Sequence, residues 1–159
     1  MKWITRERPK IDRIACPWLI KRFVDPAAEF LYVPPQQVHA EAQRLGAIPY
    51  DVPGVELTHD GPACSFDAIL RKYRLADPAL TRLADIVRAA DTDTLERSPQ
   101  APGLLAITLG LSANLRDDHE MLKVGMQIYE ALYTWCGSLA AERHGWYPEQ
   151  IPVGTRSGR

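Results

Sequence analysis

Apolar residues recur at helical spacing along most of this chain and at strand spacing only briefly. Leu80, Leu83, Ile86 or Val87, and Ala90 share one face behind Asp77-Pro78. There the carboxylate can cap free N–H groups and the proline suits a first helical turn. Asp117 and Glu120 have the spacing of a capping box, with Asp in place of the usual Ser or Thr. The stripe Met121, Val124, Ile128, Leu132, Trp135 and Leu139 behind them predicts the longest helix, running to about His144. Phe66, Ile69, Leu70 and Tyr73 form an apolar face after Ser65, a plausible cap. Residues 103–111 are apolar on nearly every side, which predicts a central, buried helix. Trp18, Leu19 and Phe23 share a face in a helix over residues 17–23, with Pro17 expected in its first turn, where it does not kink the chain. Residues 36–45 read as a helix stopped by Gly46.

Strand signals are fewer. Residues 29–33 are short, aromatic and β-branched and end at Pro34-Pro35, and residues 47–52 and 55–58 are further extended candidates. Strand, helix, strand order favours a small parallel pair joined by a right-handed crossover. The expected fold is therefore α+β and helix-rich, with about five to six helices and a small two- to three-stranded sheet. No internal repeat or low-complexity segment interrupts it. Residues 3–147 read as a single domain, and residues 148–159 lack periodic apolar positions and read as an irregular C-terminal tail.

Composition narrows the function. The 159 residues are 46% hydrophobic and 25% charged, ordinary for a globular domain and too apolar for a disordered chain. Lys and Arg number 19 against 20 Asp and Glu, a formal net charge of -1. A general nucleic-acid binder carries a basic excess, so no direct nucleic-acid partner is expected. No apolar run approaches the roughly 20 residues of a membrane helix, and the first residues turn polar too soon for a signal peptide. Cys16, Cys64 and Cys136 form no Cys-x-x-Cys pair, which argues against a disulfide scaffold or a zinc ribbon. A cytoplasmic domain without a membrane partner is the expectation.

The best local chemistry lies in residues 54–61. If Val55 and Leu57 point inward, Glu56 and Thr58 share the opposite face, with His59 just beyond. Carboxylate and imidazole together are a common partial shell for Mn, Fe or Zn. The missing oxygen donor is expected from Asp91 or Asp93 at a helix end, with Asp117 and Asp118 as further candidates. The metal set is thus Glu56, His59 and Asp91 around a divalent ion. The alternative on spacing alone is a pair of surface polar residues flanking a turn. Arg6, Arg8, Lys10, Arg13, Lys21 and Arg22 crowd the first 22 residues. Arg13 and Arg22 are the candidates to hold a small anion, unless they form a solvated face balanced by Glu7, Asp12 and Asp25. Cys16 and Cys64 are candidate redox thiols, Cys64 more so because it precedes a predicted helix whose dipole would favour thiolate. Buried cysteines acting as small hydrophobes are the commoner case. His39, His119 and His144 read as surface residues.

Several blocks are recognisable together. They are Trp3-Ile4-Thr5-Arg6, then Ile11-Asp12-Arg13-Ile14-Ala15-Cys16-Pro17-Trp18-Leu19-Ile20-Lys21-Arg22-Phe23, then Ile48-Pro49-Tyr50-Asp51-Val52-Pro53-Gly54-Val55-Glu56-Leu57-Thr58-His59. Cys64-Ser65-Phe66-Asp67-Ala68 and Ile86-Val87-Arg88-Ala89-Ala90-Asp91-Thr92 follow. Over about residues 3–146 the chain resembles the chromate-resistance protein family, the C-terminal domain of ChrB-type chromate-responsive regulators. The resemblance implies a part in sensing or surviving chromate. The larger regulators carry an additional N-terminal region, so DNA binding is not expected of this domain by itself. It also strengthens the metal reading, because Glu56, His59 and Asp91 fall inside the shared blocks.

Two readings result. In one, the chain is a metal-dependent enzyme acting on a small anionic substrate, with Asp60 or Asp118 as base and Arg13 and Arg22 orienting the substrate. In the other, it is a non-catalytic chromate- or oxyanion-binding module whose Cys16 or Cys64 supplies redox discrimination. The long helix leaves a homo-oligomer open.

Overall fold

The computed structural model describes residues 1–148. Three short strands, β1 (Lys2–Arg6), β2 (Glu29–Val33) and β3 (Ile48–Pro49), form a parallel sheet in the order β2-β1-β3. Six helices follow the chain: α1 (Asp12–Phe23), α2 (Val38–Leu45), α3 (Ser65–Tyr73), α4 (Pro78–Asp91), α5 (Ala101–Asn114) and α6 (Asp118–Thr134). This is the helix-rich α+β architecture expected. β2 and β3 are parallel, but they do not pair with each other. The central strand is β1, whose Trp3 lies opposite Phe30 on one side and Ile48 on the other. Charged residues at both ends mask that strand in the sequence, yet Trp3, Ile4 and Thr5 are fully buried. The extended segment at 55–58 contributes a single bridge, Leu57 to Tyr50.

Capping signals hold where they are local. Asp77 accepts from Ala79 N at 2.7 Å, Asp117 accepts from His119 N and Glu120 N at 2.9 Å, and Gly46 closes α2 at φ 60°. α1 departs from expectation. It begins at Asp12, so Pro17 lies inside the helix rather than in its first turn. Proline offers no N–H to the carbonyl four residues back, which is that of Arg13. The Tyr32 hydroxyl donates to that carbonyl at 3.1 Å instead. Both partly buried partners are thereby satisfied without breaking the helix.

Two apolar patterns resolve differently from their sequence reading. α5 is peripheral rather than central: Ala101, Leu104, Thr108 and Ser112 face inward, while Ile107 and Leu109 are 54% and 48% exposed. The Arg8 guanidinium holds its end by donating to the carbonyls of Ser112, Leu115 and Arg116. α6 stops at Thr134 and runs into a π turn over Trp135–Leu139. Its buried residues are Met121, Leu122, Gly125 and Tyr129, not the stripe through Val124. The face is displaced because α1 presses against α6 at Gly125.

A Cβ at Gly125 would overlap Ile14 Cγ2 and stand 3.3 Å from Ile14 Cδ1. Ile14 is β-branched and stiff in a helix. Gly125→Ala is therefore expected to lower stability by about 1–3 kcal/mol, despite alanine's better helix propensity. Gly110→Ala, on the open side of α5, should instead stabilise by up to about 1 kcal/mol. Urea unfolding of the two variants measures both signs.

α3 is tied to α4 through Asp67, which accepts from Cys64 N at 2.9 Å and from Arg88 Nε and Nη2 at 2.8 and 2.7 Å. Burial raises the Asp67 pKa, but these hydrogen bonds outweigh it and hold the carboxyl below its usual range. A depressed folded-state pKa gives stability that is complete above the unfolded value and lost as pH falls through the folded one. Asp67→Asn should therefore cost about 1–2 kcal/mol near neutrality. Its difference from the parent should shrink towards zero as pH drops below about 4, in denaturant titrations across pH.

Candidate functional site

The parallel strands run towards one edge of the sheet, and the acidic residues collect there. β1 ends at Arg6, β3 leads to Asp51, α1 opens with Asp12, and α4 closes with Asp91. The C-terminal edge of a parallel sheet, where strands give way to helices, is a recurrent ligand position. His59 reaches the same point from the loop before α3.

Asp12 is the anchor of this arrangement and is only 1% exposed. Its Oδ2 accepts from Ser65 N at 2.6 Å and Phe66 N at 3.4 Å, satisfying free donors at the start of α3. Its own N–H donates to Asp91 Oδ1 at 3.3 Å. Asp12 Oδ1 is buried and has no hydrogen-bond partner among the described residues. The preceding Ile11 has φ 23°, an outlier for a β-branched residue. The Tyr129 hydroxyl donates to the Ile11 carbonyl at 3.1 Å, bracing this strained link from α6. Asp51 also sits at positive φ, 51°. Strain of this kind persists where surrounding structure over-determines it, commonly at functional positions.

The His59 imidazole faces three carboxylates. Nε2 lies 2.9 Å from Asp91 Oδ2, 3.4 Å from Asp51 Oδ1 and 3.7 Å from Asp12 Oδ2. Asp51 first, then Asp91 and Asp12, push its pKa up to about 9 against the opposing effect of burial. Asp12 and Asp91 are raised, chiefly by burial and by their acidic neighbours. Asp51 goes the other way: burial raises it, but hydrogen bonds from His59, Ser65 and Arg6 prevail. Ser65 Oγ donates to Asp51 at 2.8 Å, Arg6 Nη2 donates at 2.8 Å, and Arg13 Nε is 3.4 Å away. Asp51 is thus committed to two arginines and a serine. One ligand atom each from Asp12, His59 and Asp91 lies within 4.8 Å of the others.

His59 and Asp91 therefore meet as the sequence anticipates, and Glu56 does not join them. Glu56 is exposed and pairs with Lys72. The carboxylate beside His59 and Asp91 is Asp12 instead, which sequence reading passes over along with Asp51. Both stand in the shared blocks at the end of a strand or the start of a helix, and that position was the available signal. Asp93 is exposed at φ 56°, and Asp117 is spent on capping α6. Asp60 is exposed beside Arg71 at 3.5 Å, in the wall of a cavity of about 450 Å³ that it shares with His59 and Lys72. Asp118 accepts from Arg8 N at 3.1 Å and has no bond to the His59 cluster among the described residues.

Arg13 and Arg22 occupy opposite ends of α1, about 14 Å apart along the helix axis, too far to hold one small anion. Arg13 donates to the Glu7 carbonyl at 2.9 Å, and Arg22 faces Glu130 at 3.8 Å. Cys16 and Cys64 are fully buried. Burial pushes both thiols well up, so at Cys64 desolvation overrides the helix dipole expected to favour thiolate. His39, His119 and His144 are exposed, as read from the sequence.

Residues 3–136 match ChrB, C-terminal domain, and Asp12, Asp51, His59 and Asp91 all lie within that stretch. The chain is 31% identical over 134 residues to Protein ChrB of Cupriavidus metallidurans, covering 84% of this chain and 40% of that protein. It thus spans well under half the length of that curated relative. No solved structure matches it. With most of the chain accounted for by one family, this protein belongs to the ChrB C-terminal domain family of chromate resistance.

Proposed function

We propose that this domain binds a divalent metal ion through Asp12, His59 and Asp91, and that the ion serves a reaction on a small anionic substrate. The observation that carries the reading is the orphaned Oδ1 of a fully buried aspartate within a three-residue group of potential ligands. A buried carboxylate oxygen without a donor is costly, and a cation removes the cost. The donor set of two carboxylates and one imidazole suits Mn, Fe or Zn. Ligand atoms bound at about 2.1 Å to one ion lie no more than about 4.2 Å apart. The ligand atoms here all lie within 4.8 Å of one another, so reaching that spacing takes small side-chain shifts at most.

Such an ion would polarise a bound oxygen or activate a water. The chain's own residues set the frame: Ser65 and Phe66 N–H orient Asp12, Asp12 N–H orients Asp91, and Arg6, Arg13 and Ser65 hold Asp51. Asp60 and Glu56 both border the adjoining cavity, and Asp60, with only the 3.5 Å pair to Arg71, is the one we assign as base. The opening beside His59 supports an exchangeable ligand rather than a closed structural site. The alternative, redox sensing of an oxyanion, lacks comparable support because both candidate thiols are buried.

Mass-spectrometric metal analysis of tag-free protein is the direct test. Near one Mn, Fe or Zn per chain is expected in the parent and in Glu56→Ala, with loss in His59→Ala and Asp12→Asn variants that retain helical circular dichroism. Equal content in all four, or none after reconstitution with each metal, overturns the reading.

Metal binding should also show as stability. A ligand at 100 times its Kd adds about 2.7 kcal/mol, which for a domain of this size raises Tm by about 5–10 °C. That shift should vanish with EDTA and be absent in His59→Ala.

A further inference from the structure

We infer that the cleft between α3 and the turn at Leu95–Arg97 is a subsite for the phosphate dianion of a small phosphorylated molecule. A cavity of about 470 Å³ there is lined by Pro62, Ala63, Asp67, Arg71, Arg88 and Arg97. Three guanidinium groups border one small volume. They are not equivalent. Arg88 is fully engaged, its Nε and Nη2 on Asp67 and its Nη1 on Asp85 at 2.9 Å, and it acts as a fixed wall. Among the described residues Arg71 has only the loose pair with Asp60, whose side chain is 76% exposed. Arg97 has no hydrogen-bond or ion-pair partner for its side chain among the described residues.

Arg71 and Arg97 border one cavity whose lining carboxylate, Asp67, is already held by Arg88, and an anion between the two draws on both positive charges. Their combined charge matches a dianion better than a carboxylate. Guanidinium groups also offer paired donors suited to phosphate oxygens. The volume lies within the range of small-molecule sites. It also exceeds what a bare phosphate fills.

Arg71 lines this cleft and the cavity beside His59 as well. A ligand with its phosphate at Arg71 and Arg97 can therefore extend past Arg71 towards His59. Only that extension rests on the metal reading; the phosphate subsite stands without it. Arg97 follows Asp91 by six residues, so one loop supplies both a proposed metal ligand and a phosphate contact.

The test is calorimetric titration with inorganic phosphate, once in EDTA and once with excess Mn²⁺, with acetate as the monoanionic comparison. Parent protein should bind phosphate in EDTA and bind acetate at least about tenfold more weakly. Arg97→Gln and Arg71→Gln should each weaken phosphate binding by about tenfold or more. Lys123→Gln, an equal charge loss at an exposed position of α6, should stay within about twofold. Equal phosphate affinity in all four proteins, or acetate binding as tight as phosphate, overturns the proposal. Phosphate binding that follows the two arginines in a protein that takes up none of Mn, Fe or Zn supports the subsite and overturns the metal reading alone.

Discussion

The buried carboxylate of Asp12 is the interaction on which the remaining architecture depends. It begins α1, satisfies the first N–H groups of α3 and, through its own amide, fixes the end of α4. Three helices from separate parts of the chain thus share one residue. A charge so deeply buried is tolerable only when its lone pairs are engaged. Two donors serve Oδ2, and Oδ1 has none among the described residues. The fold's stability and its proposed chemistry therefore draw on the same atoms, and substitutions at Asp12 affect both together.

The features legible in the sequence were those decided within a few residues. Asp77 before Pro78, Asp117 before Glu120 and Gly46 after Leu45 all cap the helices their spacing implies, because a cap is a local hydrogen bond or a local φ value. α1 was cut short because Pro17 looks like a boundary. Its tolerance depends on the Tyr32 hydroxyl from a strand 15 residues further on. β1 was missed because two apolar residues between charges carry no periodic signal until neighbouring strands cover them. α5 shows the reverse error: an apolar composition does not require burial, and its inward face is made partly of Thr108 and Ser112.

The site divides in the same way. His59 and Asp91 were identified as residue types capable of holding a metal, and they do converge. Glu56 was favoured by its three-residue spacing from His59, but the loop turns it outward to Lys72. Asp12 and Asp51 were overlooked because an aspartate opening a helix or leaving a strand has an ordinary local explanation. Their convergence arises from the parallel sheet, which brings distant segments to one edge.

That dependence on distant segments also sets when the cluster can exist during synthesis. Asp12 is joined to residues 53 and 79 positions later, and Ile11, which positions it, to one 118 positions later. At about 5–20 residues per second on the ribosome, the strained Ile11 link waits several seconds for Tyr129 to emerge. β1 likewise waits for β2 and β3. The nascent domain can therefore pair its central strand once 49 residues are out and cap α3 on Asp12 soon after, whereas Asp91 and the Tyr129 brace arrive later, so the acidic edge is among the last parts to take shape.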